Sequence, residues 1–552
     1  MYWLHTLVGR TADAFPSFWL DIPLAAILTA LVFGLAYRFP RTSGAIAQRF
    51  LESVKHPIPY VLAGTILPVA VRLACLPWIP PPEPRWHDEF AHLLVADTLA
   101  AGRLANPPHP LARHIETQYV LQEPTYSSIY PPGHGIIMSI GRVLTGKPWA
   151  GVLLAVGLMG GAITWMLYGC LPPGWAVLGG SLGVLAYGLA DEWIDSYYGG
   201  AFCAFGGALL FGGLCRLRKS PSSGMALLVG LGWSITWLVR PFESLPALAF
   251  AWGCIAWWAL GDLRKWKRWI GPALAMFGVQ LSAGAFTALH NRAVTGSYTL
   301  MPYQLNRQVS GVPQSFLWKR PAKEPAFRFP EAKQMYEWQR EHKDTLDQHP
   351  LQRYAAVLYN TWLFFVTPWL TVPIVLALAL LRKDRDTAVA AGVVALVTAV
   401  AVLYPFFGAR YIAAYSGVFL FLIVKGLMVV YKWSAKGRVA ACFLVVGAGL
   451  TGMAGLRPAY ATTPPRAQVE RQLLETPGRH VVFVRYGPDH SFHDEWVYNA
   501  ANIDASRIVW CRAMGPYDAE VAGYYPDRKF WLVDVYENSF KLSPYQPEPA
   551  SQ

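Results

Sequence analysis

Charged residues are scarce in this sequence. Asp, Glu, Lys and Arg make up 15% of the 552 residues and hydrophobic residues make up 54%, whereas about a quarter of the residues of a typical soluble protein are charged. Apolar runs take the place of the missing charge, and they are too long for the core of a soluble domain. This composition excludes disordered, fibrous and simple cytosolic proteins and predicts a polytopic α-helical membrane protein.

Cysteine is also scarce, and its placement limits the disulfide bonds that can be expected. Of the seven cysteines, Cys511 alone lies in a polar region, so we expect no disulfide framework there. The other six lie inside apolar runs: Cys75, Cys170, Cys203, Cys215, Cys254 and Cys442.

About 12 stretches are predicted to be transmembrane helices, because roughly 20 apolar residues cross the hydrocarbon layer. The first stretch is not a cleavable signal peptide, since no basic segment precedes it and Asp21 lies at its start. The predicted spans are 20–37, 58–79, 149–170, 174–190, 199–215, 223–240, 244–260, 269–289, 360–381, 387–403, 412–430 and 438–456.

The basic residues predict the orientation of these spans. Five clusters of Lys and Arg lie in short loops on one side of the bundle, and the positive-inside rule makes that side the cytoplasm. The net charge of +13 is explained in this way and does not indicate binding to nucleic acid. The clusters begin at Arg38, Arg216, Arg264, Arg382 and Lys432.

The segments on the opposite side are predicted to be extracytoplasmic and to hold the functional site. They contain most of the acidic residues, whereas the cytoplasmic loops are short. ATP, nucleotide sugars and nucleic acid are therefore poor candidates for direct substrates. The outer segments are 80–148, 191–198, 290–359, 404–411 and 457–552.

The last outer segment differs in pattern from the rest of the chain. Short apolar strands are predicted at 480–486, 507–511 and 529–535, with a helix at 517–525. This alternation predicts a small extracytoplasmic α/β domain with a parallel sheet. Its aromatic residues either face a glycan or form an aromatic core: Trp496, Tyr498, Trp510, Tyr524 and Tyr525.

Three domains follow from these patterns. Residues 1–57 form an extra N-terminal span with a cytoplasmic loop, and residues 58–456 form the transmembrane domain with its outer loops. Residues 457–552 form the α/β domain.

The first outer segment contains the strongest candidate for an acid–base group. Residues 87–104 predict an amphipathic helix that lies in the membrane interface and ends near Gly102. Asp88 and His92 are four residues apart and share a face, so the imidazole is able to orient or tune a carboxylate that acts as a general base. The alternative is that Asp88 and Glu89 only cap the helix N-terminus.

The same helix carries part of a metal-binding motif. Glu89 and His92 resemble part of the zinc motif H-E-x-x-H, but His87 and His92 diverge by roughly 140° around a helix, so a zinc protease is excluded. A divalent ion bound by Asp88 or Glu89 remains possible, although nothing in the sequence requires one.

Two further outer stretches carry polar and aromatic candidates. Two prolines between Tyr130 and His134 fix an extended backbone that holds both side chains near the membrane surface, or simply form a rigid turn. The short loop 191–198 carries three acids that are able to flank an acceptor, or that are merely solvated beside an aromatic belt. Its candidate residues are Asp191, Glu192, Asp195 and Tyr197.

Three arginines on the predicted outer side are candidates for binding phosphate. They are Arg240, Arg292 and Arg410, and a guanidinium group binds phosphate through two hydrogen bonds. The alternative is that each extends to the membrane surface or forms a local ion pair, such as Arg240 with Glu243.

Taken in order along the chain, these motifs resemble the GT-C superfamily of membrane glycosyltransferases, in particular bacterial protein O-mannosyltransferases and the aminoarabinose transferase. The resemblance covers about residues 58–430. Its motifs are Asp88-Glu89, Tyr130-Pro131-Pro132, the acidic turn at 191–195, Arg240-Pro241, Asn291 with Thr295-Gly296-Ser297, and Arg410-Tyr411. The chain departs from the family in the extra span 20–37, in Gly133-His134, and in the α/β tail.

The resemblance implies roles for individual residues. Asp88 would be the general base, supported by Glu89, and Asp195 or Asp191 would approach the acceptor. Arg240 and Arg410 would be the main phosphate ligands. His92, Glu192, Tyr130, His134 and Tyr197 would contact the donor or the acceptor.

The implied reaction is transfer of a hexosyl or pentosyl group, with inversion, from a polyprenyl-phosphate sugar to a glycan, lipid or protein acceptor. No cofactor is required for this reaction, although a divalent metal is possible. It would take place on the periplasmic side of the inner membrane, and nucleic acid would not be a partner.

Two other functions share the same features. One is a transporter or flippase of lipid-linked sugars, or an inactive relative, and the other is a polysaccharide ligase or polymerase. A transporter should carry ionisable residues at the middle of the membrane. The predicted spans contain almost none, which favours an enzyme that acts at the membrane surface.

Overall fold

The computed structural model describes residues 30, 34, 37–38, 40–189, 193–261, 263–311, 316–320, 323–454, 463–537 and 539–547. Helices predominate as far as residue 454, and a small sheet follows. The helices of the first half are α1 Pro40–Ser53, α2 Ile58–Ala74, α3 His87–Ala100, α4 Gly133–Thr145, α5 Trp149–Cys170, α6 Pro173–Gly183, α7 Gly200–Leu217, α8 Ser223–Val239, α9 Pro241–Leu260 and α10 Ile270–Thr295.

The second half continues with shorter helices in the long outer segment before the chain returns to apolar helices. A two-stranded ribbon of β1 (Val120–Leu121) and β2 (Ser127–Ser128) lies between α3 and α4. The later helices are α11 Pro302–Ser310, α12 Pro330–Gln348, α13 Pro350–Phe365, α14 Thr371–Leu378, α15 Arg385–Ala401, α16 Ser416–Trp433, α17 Ala435–Ala454, α18 Pro465–Glu475 and α19 Asp518–Tyr524.

Each predicted span from residue 58 onward coincides with helix, because long apolar runs satisfy their backbone hydrogen bonds internally. Among the described residues, four helices are long and apolar enough to cross a membrane, or six if each of two bent pairs counts as one span. The count of 12 stays a prediction. The first predicted span, 20–37, lies almost entirely outside the described residues.

The predicted span 360–381 is wrong as one continuous helix. Helix α13 ends at Phe365, and the helix that follows Pro368 leaves at an angle of 90°. Thr367 has a φ of 61° and Pro368 lacks an N–H group, so the helical hydrogen-bond ladder stops there.

The helical bundle packs closely where glycines face backbone. A Cβ atom added to Gly207 on α7 would lie 1.7 Å from the carbonyl oxygen of Ala414. Only glycine therefore allows α7 to contact the short 3₁₀ helix Ala409–Tyr415, which carries Arg410.

The predicted cytoplasmic loops meet at one end of the helices. Arg218 forms an ion pair with Asp386, and the ammonium group of Lys219 donates to the carbonyl oxygen of Gly169. A disulfide bond joins Cys170 and Cys215 near the same end. Cys511 is buried and free.

The C-terminal sheet contains four strands in the order β4-β3-β5-β6. Strands β3 (His480–Tyr486), β4 (Ile508–Arg512) and β5 (Lys529–Val535) were predicted and pair in parallel, while β6 (Phe540–Pro544) was not predicted and pairs antiparallel with β5. Trp496 and Trp510 are buried in its core, so these rings do not face a ligand.

The prediction that α3 is amphipathic is wrong, because α3 is buried on both sides, whereas its place in the membrane interface stays a prediction. One side of α3 packs Phe90 and Leu94 into a core shared with Val481 and Phe483 of the C-terminal sheet. The other side contacts α4, and Gly135 of α4 lies directly against Val95. Sequence periodicity could not reveal this, because the covering sheet lies about 400 residues further along the chain.

Arg512 ties the sheet to the other outer segments. Its buried guanidinium forms ion pairs with Glu495 and, at 3.1 Å, with Glu331 of α12. The same group donates to the carbonyl oxygen of Glu116 at 3.0 Å. Charge-assisted hydrogen bonds of this kind are strong when they are buried, so three outer segments are held as one layer.

Candidate functional site

Asp88 lies in the first turn of α3 with a half-buried carboxylate. One carboxylate oxygen accepts a hydrogen bond from the hydroxyl of Tyr130. Tyr130 is buried, and burial together with the nearby Asp88 charge raises the pKa of its phenol well above the usual value. The phenol therefore stays protonated and orients the carboxylate, whose second oxygen remains available to a substrate.

Glu89 has a different role from its neighbour. It is buried, and it accepts backbone N–H groups from Arg85 at 2.9 Å, from Trp86 at 3.2 Å and from Tyr197 at 3.0 Å. Burial raises the pKa of this carboxyl to about 6, against the opposing effect of the three hydrogen bonds. Glu89, rather than Asp88, therefore caps the N-terminus of α3. Its bond to Tyr197 also fixes the loop 193–198.

The ring of His92 packs on the phenol ring of Tyr130, and the ring of His134 packs on His92. The ring of His92 stacks on Tyr130 at 4.2 Å and meets the edge of His134 at 5.3 Å. Burial lowers the pKa of both histidines, to about 4 for His134, so both are neutral near pH 7. The sequence predicted that His92 orients or tunes Asp88. In the structure, the side chain that donates a hydrogen bond to Asp88 is Tyr130.

Arg240 and Arg410 converge on one aromatic ring. The guanidinium carbon of Arg240 lies 3.9 Å from the centroid of Tyr411, and that of Arg410 lies 5.7 Å from the same centroid. Arg240 occupies the junction between α8 and α9, and Arg410 also lies 4.2 Å from the centroid of Tyr198. Cation–π contacts hold both cations in place without neutralising them.

The cations and the carboxylate belong to the same site. After burial, the charges that lower the pKa of His92 include those of Arg240 and Arg410. His92 also stacks on the phenol that bonds Asp88, so it is close to the carboxylate and feels the charge of both arginines.

Asp195 is not available as a second acidic group beside Asp88. Its carboxylate pairs with Arg72 at 2.7 Å. The guanidinium of Arg72 also donates to the carbonyl oxygens of Ile79 at 2.8 Å and Pro80 at 2.9 Å. The sequence analysis missed Arg72, although a lone arginine inside an apolar run is a recognisable signal of a buried partner. Asp191 and Glu192 lie outside the described residues.

The remaining candidates are divided between the site and its surroundings. Tyr197 is buried in the wall of the site, where its hydroxyl donates to the carbonyl oxygen of Pro82 at 3.0 Å. Arg292 is exposed at the end of α10 and donates to the hydroxyl of Tyr298, so it does not join the pair formed by Arg240 and Arg410. Tyr303, which was not among the sequence candidates, packs against Tyr130 with 5.6 Å between the ring centroids.

A divalent ion at Asp88 and Glu89 does not fit the donor atoms. Both oxygens of Glu89 accept backbone N–H groups, so of these two described acids Asp88 is the one left to bind a cation. Within the described part of the chain, no group of three His, Cys, Asp or Glu side chains is placed to hold a metal ion.

A small apolar groove opens beside Arg240. Its walls come from the outer ends of α8 and α10 and from the residues that follow β2. Residues that line it include Ile129, Pro131, Trp237, Pro241, His290 and Tyr303.

Comparisons with known proteins found structural neighbours but no sequence relatives. No protein-family model and no curated protein matches the chain. ArnT from Cupriavidus metallidurans, bound to undecaprenyl phosphate, is 12% identical, with a TM-score of 0.47 over 85% of this chain and 92% of that one. The oligosaccharyltransferase AglB from Archaeoglobus fulgidus, with an inhibitory peptide and a dolichol-phosphate, is 12% identical, with a TM-score of 0.44 over 87% of this chain and 69% of that one.

Both are GT-C membrane glycosyltransferases. At this level of similarity they do not determine the activity of the chain.

Proposed function

We propose that the protein is an integral membrane glycosyltransferase that moves a sugar from a polyprenyl-phosphate donor to an acceptor on the extracytoplasmic side, with inversion. The observation that carries this proposal is a half-buried carboxylate, Asp88, whose hydrogen-bond partner Tyr130 stacks on His92, the side chain that feels the charges of both Arg240 and Arg410. A small apolar groove lies next to Arg240.

The cationic half of the site suits a lipid phosphate. Arg240 and Arg410 present two guanidinium groups around Tyr411, and such groups bind phosphate oxygens in pairs. The apolar groove beside Arg240 suits the first isoprene units of the lipid. This arrangement holds the anomeric carbon of the donor between the cations and Asp88.

The acidic half of the site suits activation of a hydroxyl group. Asp88 takes the proton of the acceptor hydroxyl while its oxygen attacks the anomeric carbon and the bond to the phosphate oxygen breaks. The electron pair of that bond stays on the lipid phosphate, where the two arginines stabilise the charge without proton transfer. Tyr130 keeps the carboxylate in place throughout the reaction.

The location follows from charge and contacts. Contacts at the site join segments that the positive-inside rule assigns to the outer side: Glu89 with Tyr197, and Tyr198 with Arg410. The arrangement supports a periplasmic site in an inner membrane.

The test compares the wild type with Asp88→Asn in reconstituted lipid discs supplied with labelled polyprenyl-phosphate sugars. Release of polyprenyl phosphate should fall at least 100-fold in Asp88→Asn, since a positioned general base contributes about 10²–10⁴-fold. Donor binding should remain, because the arginines are intact. The matched control is Asp344→Asn, an exposed acid on α12.

Full release of polyprenyl phosphate by Asp88→Asn would disprove the assignment of the base. A flippase gives a different result, because the labelled donor would cross the bilayer of proteoliposomes chemically unchanged.

A further inference from the structure

A continuous series of aromatic rings connects the two halves of the site. Neighbouring rings in this series lie 5.1 to 6.3 Å apart between centroids. We call the series the aromatic arc, and it consists of His87, His493, Trp338, Phe406, Tyr404 and Tyr411.

Each end of the aromatic arc reaches a reactive part of the site. His87 immediately precedes Asp88 in α3. At the other end, Tyr411 lies 3.9 Å from the guanidinium carbon of Arg240. A ligand that follows the arc therefore ends beside the general base and the phosphate ligands.

The arc is built from four separate segments, and buried charges hold them together. His87 comes from α3, Trp338 from α12, and His493 from the loop between β3 and β4. Arg512 binds Glu331 at the start of α12 and Glu495, two residues after His493. The rings thus keep their relative positions without a ligand, which is the preorganisation that a binding surface needs.

The exposure of the arc differs from that of the aromatic core. Trp338, Phe406 and His493 in the middle of the arc are partly exposed, whereas His87 at its end is buried, as is Trp496 of the core. The rings also meet at steep angles: Trp338 is tilted by 50° against Phe406 and stands at 90° to His493. Rings that only filled space between segments would be buried like those of the core.

These rings suit a carbohydrate. A sugar ring has apolar C–H faces and a rim of hydroxyl groups, and the arc combines aromatic faces with imidazole groups from His493 and His87. A lipid chain would need a lining without such polar groups, and an extended peptide is bound by a free strand edge or a helix groove. The arc is instead formed by two helices, the loop between β3 and β4, and the segment 404–411.

We propose that the aromatic arc binds the acceptor and that the acceptor is a carbohydrate chain, with one sugar stacked on Trp338 and the reactive hydroxyl at Asp88. This inference rests on the proposed function, because it identifies the substrate that receives the sugar. The rings of the aromatic arc differ from Trp496 and Trp510, for which the sequence left glycan binding open.

The test measures binding of saccharides to the purified full chain in lipid discs, in the absence of donor. The probes are hexasaccharides of α-linked glucose, β-linked glucose and N-acetylglucosamine, observed by saturation-transfer NMR. At least one should bind the wild type with its C–H protons saturated. Trp338→Ala should weaken binding about tenfold, as expected for loss of one aromatic contact, and Trp338→Phe should largely restore it.

Two controls separate a binding role from a structural role. Trp78→Ala removes a 76% exposed tryptophan outside the arc and should leave saccharide binding unchanged. The thermal unfolding temperature of Trp338→Ala should match that of Trp338→Phe. Binding that persists in Trp338→Ala, or no binding of any of the three probes by the wild type, would overturn the inference.

The outcome is independent of the test for the transferase. If the wild type consumes the polyprenyl donor but binds no hexasaccharide, the inference fails and the proposed function stands. If saccharides bind at Trp338 but no donor is consumed, the transferase proposal fails instead.

Discussion

At the residue scale, adjacent acids in α3 have separate tasks. Asp88 keeps an oxygen free for chemistry, whereas both oxygens of Glu89 bind backbone N–H groups of α3 and the loop 193–198. Since the ring of Tyr198 in that loop lies 4.2 Å from the guanidinium carbon of Arg410, Glu89 also helps to position Arg410, the proposed phosphate ligand. Glu89 is therefore a positioning residue in this site.

Glu89 should make the stability of the protein depend on pH in a specific direction. Its pKa rises from 4.5 to about 6 on folding, so the folded state binds the proton more tightly. The free energy of unfolding should therefore fall as the pH rises from 4.5 to 6, by about 2 kcal/mol.

Glu89→Gln has no carboxyl group to titrate and should lack this component. The measurement is the difference in unfolding temperature between wild type and Glu89→Gln, from pH 4 to pH 7. A difference that stays constant over this range would contradict the assignment.

The sequence singled out residues of the proposed site but not their contacts. Asp88, Tyr130, Arg240 and Arg410 are sequence candidates because charged and aromatic residues stand out in an apolar chain. Their partners depend on folding, so the pairing of Asp195 with Arg72 and the stacking of His92 on Tyr130 could not be read from spacing.

At the scale of elements, helices were predictable and their breaks were not. Apolar length determined where α5 and α7 lie, within two residues of the prediction. The bend after Phe365 depends on the backbone of one residue, Thr367, and the burial of α3 depends on a sheet far along the chain. Neither is encoded in local periodicity.

The contact between α7 and the 3₁₀ helix of Arg410 provides a test at this scale. Gly207→Ala would place a methyl group against the carbonyl oxygen of Ala414 and displace the 3₁₀ helix. We expect a lower unfolding temperature and a severalfold loss of donor binding, because Arg410 moves with that helix.

The control is Gly253→Ala on α9, where an added Cβ meets no atom within 4 Å. That substitution should be neutral or stabilise the helix by up to about 1 kcal/mol. Equal behaviour of the two variants would show that α7 does not set the position of Arg410.

At the scale of the whole molecule, charge divides the chain into two ends. Basic loops meet at one end, with Arg218 bound to Asp386, and the site occupies the other, where Arg72 binds Asp195. The positive-inside rule predicts that the site end is extracytoplasmic.

This orientation is tested with single cysteine reporters in intact cells. A cysteine in place of the exposed Asp344 should react with a membrane-impermeant thiol reagent, whereas one in place of the exposed Arg264 should react only after the cells are opened. Reaction at residue 264 in intact cells would reverse the predicted orientation and, with it, the side of catalysis.

The buried contact between α3 and the C-terminal sheet, which we call the seam, also limits how the sequence can change in evolution. Phe90 stacks on Tyr498 at 4.5 Å, and Arg466 lies 4.7 Å from the centroid of Phe90. A sheet borrowed from a divergent homologue would meet a mismatched helix, so the two regions must be inherited or exchanged together. Selection for a new substrate is then free to act on the loop tips while the seam stays constant.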